Sequence, residues 1–104
     1  MTQRTIAVTP RPLNSEINAL KAFGDVPAAF GTLIDVGTSI TSTNLMLYNS
    51  TDVNITIKFV ESSLEMIIPA GVGITQSPFL HNGLIEYKYT TVAPTSGELL
   101  IKSW

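Results

Sequence analysis

The chain has 104 residues, 44% of them hydrophobic and 13% charged, with a formal net charge of −2. That length suits one domain with a modest core, and the apolar composition argues against disorder. The small negative balance excludes broad electrostatic affinity for nucleic acid or anionic membrane. The absence of cysteine excludes disulfides and thiolate metal sites. No stretch approaches the roughly 20 apolar residues of a membrane span. Residues 1–10 lack the apolar core of a signal peptide, so a cytoplasmic product is expected. So little charge leaves apolar surface that a partner would cover.

Residues 1–27 read as an N-terminal arm. They hold three of the six basic side chains, Arg4, Arg11 and Lys21, beside Glu16 and Asp25. Pro10 and Pro12 bracket Arg11 and favour an extended path. Ser15 is placed to cap a short helix running to about Phe23, with Gly24 as its stop. Ile17, Leu20 and Phe23 then share one side of it. So short a helix needs something to dock on, either its own domain or a neighbouring subunit.

From residue 28 to residue 104 the signal is β. Residues 29–36 are a first candidate strand, interrupted by Gly31. In residues 53–59 the apolar Val53, Ile55, Ile57 and Phe59 alternate with Asn54, Thr56 and Lys58, one face for a core and one for water. Residues 44–48 precede it, and Asn49-Ser50-Thr51-Asp52 between them are turn formers, which predicts a hairpin. Its register is open. One loop length turns Met46 and Tyr48 to the face of Ile55, and another turns Leu45 and Leu47 there. The leucines are favoured, because Tyr48 and Asn44 tolerate solvent better.

Further strands are predicted over residues 64–68, ended by Pro69-Ala70-Gly71, and over residues 72–75. Residues 84–89 follow the Asn82-Gly83 turn, and residues 98–104 follow Ala93-Pro94-Thr95-Ser96-Gly97. Short strands at short intervals predict an all-β fold, a small antiparallel sandwich that is jelly-roll-like or barrel-like, carrying an extended or short-helical arm.

Chemistry finds little support. His81 is the single histidine, reads as a turn residue between Phe79-Leu80 and Asn82-Gly83, and has no patterned nucleophile or carboxylate for acid–base work. Asp52, Glu61 and Glu65 are too scattered to suggest a metal site. Gly71-Val72-Gly73 is too short for a phosphate loop. No catalytic residue, metal or cofactor is expected. Two glycosylation-type triplets, at Asn49 and Asn54, are discounted as chance matches. Tyr87 and Tyr89 share a strand face and Trp104 ends the chain, so these aromatics are candidates for stacking on a sugar ring.

Residues 45–104 carry a series of structural motifs: an apolar strand into Asn49-Ser50-Thr51-Asp52, an alternating strand, and the Ile68-Pro69-Ala70-Gly71 corner. A Gly83-led strand with tyrosines follows, then a Ser96-Gly97 turn into a closing strand that ends in Trp104. This series resembles small β-sandwich structural proteins of tailed-phage virions. The resemblance implies a capsid decoration, head-fibre base or head–tail adaptor component, made in the host cytoplasm and ending in the virion. Its implied partners are other virion proteins, capsid or head–tail components, with a homo-oligomer as the expected state and neither nucleic acid nor membrane as a ligand. Arg4, Arg11, Ile17, Leu20 and Phe23 are the expected assembly contacts. A carbohydrate-binding sandwich facing its ligand with Tyr87, Tyr89 and Trp104 is the alternative.

Overall fold

The structure, a computed structural model, describes residues 16–39 and 41–104. Among the described residues eight strands run in chain order: β1 Ile17–Ala22, β2 Gly31–Asp35, β3 Leu45–Asn49, β4 Ile55–Phe59, β5 Leu64–Ile68, β6 Gly73–Gln76, β7 Leu84–Tyr89 and β8 Glu98–Ser103. They form two four-stranded antiparallel sheets, ordered β1-β8-β3-β6 and β2-β7-β4-β5. Only β4 and β5 are joined as a hairpin within one sheet; every other connection crosses to the opposite sheet. This order is that of a jelly roll, two Greek keys wound together.

The core lies between the sheets. Leu45, Leu47, Leu99 and Ile101 from one face Ile55, Ile57, Phe59, Ile68, Ile85 and Tyr87 from the other, all buried. The alternation of β4 does what its pattern requires: Ile55, Ile57 and Phe59 point inward and Lys58 points out. Val53 lies before the strand and only packs against the core's margin. Thr56 departs from expectation. It is buried on the outer face, its hydroxyl 2.9 Å from that of Thr90.

Three expectations are corrected. The arm's helix is instead strand β1, paired in register from Ile17↔Ser103 to Ala22↔Glu98. A lone short helix forms few bonds for its ordering cost, whereas the side of β8 away from β3 offers six residues of ladder. Gly24 then falls in a single 3-10 turn, Phe23–Asp25, rather than after a helix. The sandwich therefore begins at Ile17, ahead of the expected boundary at residue 28, and takes Val26 into its core.

The third correction is the hairpin of β3 with β4. These strands lie in different sheets, and residues 49–52 carry the chain across between them. Leu45 and Leu47 do face inward, as favoured, but the pairing that orders them is with β8 and β6.

Each residue of that crossing has a structural task. Asn49 is fully buried. Its amide nitrogen donates to the carbonyls of Val53 and Ile68, both at 2.9 Å, and Pro69 at 3.2 Å. Its amide oxygen accepts from the Thr51 N–H at 3.0 Å and from the Thr51 hydroxyl. Ser50 bonds Glu98 through both main chain and side chain, and Asp52 accepts from the N–H and hydroxyl of Thr95. Gly97 turns with φ +86, where a Cβ would stand 2.0 Å from the Ser50 oxygen, so only glycine fits.

Candidate functional site: the cleft beside His81

The β4–β5 turn and the segment before β7 enclose a cleft of about 530 Å³. The turn is closed by N–H bonds from Ser62 to Phe59 and from Ser63 to Val60, with Ser63 left-handed at φ +58. It presents Glu61, Ser62 and Leu64 to one wall; Phe79, Leu80 and Asn82 line the other. Phe59, Phe79 and His81 cluster beneath them, with ring centroids 5.1–5.8 Å apart. The mouth is apolar: Leu80 is 70% exposed and Leu64 42%.

His81 is a buried strut rather than a turn residue. It pairs with Ser42 as an isolated bridge. Its Nδ1 lies 2.7 Å from the Phe79 carbonyl, which can only accept, so Nδ1 carries a proton. Its Nε2 lies 2.8 Å from Ser103 Oγ, and in the neutral ring it accepts the serine proton. That spacing matches a serine–histidine nucleophile pair. Ser103, however, is 0% exposed, beyond the reach of any substrate in this fold. Among the described residues, no group of three or more His, Cys, Asp or Glu is arranged to hold a metal.

The aromatics singled out in the sequence are not gathered into a platform. Tyr87 points into the core and its hydroxyl donates to the Asp25 carbonyl at 2.9 Å, which corrects its assignment as ligand-facing. Burial and the nearby Asp25 carboxylate raise its pKa above the ordinary 10.0. Tyr89 is half-buried and packs against the core. Trp104 is half-buried, and its carbonyl accepts from the N–H groups of Thr43 and Asn44, both at 2.9 Å.

Of the expected assembly contacts, Arg4 and Arg11 lie outside the described residues. The other three do not form one stripe. Strand alternation turns Ile17 inward against the core and Leu20 outward, 57% exposed, while Phe23 sits exposed in the turn after β1.

Cross-strand register then brings together residues that no sequence pattern joined. Leu20 stands opposite Leu100, and Leu100 opposite Tyr48, a row across three strands on the outer face of β1-β8-β3-β6. Tyr48, 47% exposed, lies over Gly73 of the neighbouring strand β6, where a Cβ would be 3.0 Å from its ring. The outer face of the other sheet is different: Glu86, Lys58 and Glu65 stand in one row of alternating charge. Phe30 on that side sits beneath the ammonium groups of Lys58 and Lys88, at 5.3 and 5.4 Å. One sheet thus carries a charged row with Ile67 exposed beside it, and the other a short apolar band flanked by Lys102 and Glu98.

Compared with family models, with curated proteins and with solved structures, the chain matches none.

Proposed function

We propose that this chain is a structural component of a tailed-phage virion that works through protein–protein contacts, as capsid decoration, fibre base or adaptor. The observation that carries the reading is the apolar row Leu20–Leu100–Tyr48, in register across three strands. The corresponding row of the opposite face, Glu86–Lys58–Glu65, alternates in charge instead. A band of this kind on a charge-poor protein favours burial against a partner. The motifs that resemble those of small virion proteins agree with this reading, since residues 49–52 serve the frame and not a reaction. Fold alone does not decide the matter, because jelly rolls serve capsids and lectins alike.

The cleft beside His81 favours a second reading, sugar binding, with Phe79 as a platform and Glu61 and Asn82 as hydroxyl partners. Mass spectrometry of purified particles of the encoding phage tests the first reading. The expected result is this chain at a fixed copy number per particle. Its absence from particles, with saturable glycan binding lost on Phe79→Ala, supports the second reading instead.

A further inference from the structure

Each sheet ends in two edge strands, β1 and β6 in one and β2 and β5 in the other. An edge strand directs the N–H and C=O of every second residue outward, where another chain can pair with them. Three of the edges are poor templates. Strand β2 is broken by a register shift between Thr32 and Ile34, and β6 has only four residues and opens on Gly73. In β4, Asn54 and Val60 bond toward the β7 side, so Ile55, Ile57 and Phe59 bond toward β5. Their partners Ile68, Met66 and Leu64 face back, which leaves β5 with Glu65 and Ile67 outward, one of them charged. Strand β1 is six residues long with an unbroken register. The Phe23 N–H bonds the Gly97 carbonyl, so by alternation Ile17, Ala19 and Lys21 also face β8. Asn18, Leu20 and Ala22 direct their main-chain groups away from the sheet, and no described residue continues the ladder beyond them.

We propose that the edge of β1 pairs antiparallel with β1 of a second copy of the chain, about a two-fold axis at Leu20. A second copy is the occupant this edge fits, because the outward residues are symmetric about Leu20. Only this register pairs all of them: Asn18 faces the partner's Ala22, Leu20 faces the partner's Leu20, and Ala22 faces the partner's Asn18. Two bonds for each facing pair give about six in all. No like charges meet, since Lys21 stands beside the partner's Ala19. Phe23, 42% exposed in the single chain, comes opposite the partner's Ile17. The same axis joins the two outer faces. The apolar row then runs unbroken from Tyr48 through Leu100 and Leu20 to the partner's Leu20, the partner's Leu100 and the partner's Tyr48. Such a contact is isologous and closes as a dimer, with four strands from each copy in one continuous sheet. The inference goes beyond the assembly reading by naming the contact between copies, and it does not depend on the particle that reading invokes.

The full-length variant Ala22→Pro tests the contact selectively. Ala22 has φ −64, an angle the proline ring adopts, and its N–H points away from β8. The variant should therefore unfold near the parent midpoint while losing an outward donor and setting a ring against the partner strand. In sedimentation equilibrium the intact chain should rise with concentration from 11.2 kDa toward twice that mass. Ala22→Pro should weaken this association at least tenfold. A second readout stands even if that variant folds poorly. The chain has no cysteine, so single cysteines report the axis. Two Leu20→Cys chains would bring their Cα atoms to about 5.5 Å, within disulfide range. Two Tyr48→Cys chains, exposed to a similar degree, would stand about 24 Å apart across the joined sheet. Under mild oxidation Leu20→Cys should link about tenfold faster than Tyr48→Cys. Equal linking of the two overturns the proposal, as does association that a folded Ala22→Pro retains in full. A mass of 11.2 kDa at every concentration also overturns it, whether solvent or another segment of the chain covers β1. Self-association of a chain absent from phage particles keeps this contact and removes the virion reading, and a monomer found in particles does the reverse.

Discussion

The Ser103 hydroxyl and the His81 imidazole meet at 2.8 Å inside the sandwich, joining the last strand to the segment that walls the cleft. The contact fastens the closing strand to a ring whose tautomer the Phe79 carbonyl sets. Ser103→Ala should lower unfolding free energy by about 0.5–1.5 kcal/mol, the net worth of a buried hydrogen bond. Urea unfolding of the variant beside the intact protein measures it. A loss near zero would mean that Ser103 does not fasten the strand.

Asn49 is the clamp of the opposite region, tying the crossing between sheets to the Ile68-Pro69 corner. Asn49→Asp replaces an amide nitrogen that donates its two hydrogens among three carbonyls with a carboxylate oxygen facing them. The expected cost is about 3–5 kcal/mol, as for other broken buried networks. Asn54→Asp, at the exposed residue just ahead of β4, should stay within about 0.5 kcal/mol of the parent. Chemical denaturation of both variants checks the contrast.

Within β4, Ile57→Ala should cost about 2–5 kcal/mol through lost burial and the cavity left behind. Lys58→Ala, on the outer face, should cost less than about 1 kcal/mol. Equal midpoints for the two would remove β4 from the core.

Two groups give stability a defined pH response. Hydrogen bonds from the Thr95 hydroxyl and N–H hold the Asp52 carboxyl below the ordinary 3.8. Its contribution is therefore complete above that value and is lost as pH falls through the lower, folded one. The stability gap between the intact protein and Asp52→Asn should close as pH drops below 3.8. Tyr87 is the mirror case: its raised pKa favours the folded state below 10.0, a contribution lost as pH climbs through the folded value. Tyr87→Phe should remove a component that ionises above 10.0 from the tyrosine absorbance titration.

The parts of the fold legible in the sequence are those set by local alternation and turn chemistry. Strand β4 announces itself because Ile55, Ile57 and Phe59 repeat with period two, and β7 because Asn82-Gly83 precedes Leu84. Strand β1 does not. Ile17, Leu20 and Phe23 fit a helix by spacing, and what decides against it is the open side of β8, some eighty residues away in the chain. The Asn49-Ser50-Thr51-Asp52 run shows the same limit. Turn formers look alike whether they close a hairpin or cross between sheets, and Asn49's partners at Ile68 and Pro69 leave no local mark. The cleft and the Leu20–Leu100–Tyr48 row are assembled entirely by register, so neither could be read before the strands were paired.

The central claim, that the chain works by burying its apolar band against a particle partner, is tested most directly by a binding isotherm. Intact protein is titrated onto assembled head shells of the phage proposed to carry it, beside Tyr48→Asp and Leu20→Asp. Both substituted side chains point to solvent in the isolated fold, so each variant should unfold at nearly the parent midpoint. The expected result is saturable binding by the intact protein, weakened at least tenfold, about 1.4 kcal/mol, by either change. Binding that is absent, or present and indifferent to both substitutions, would contradict the account.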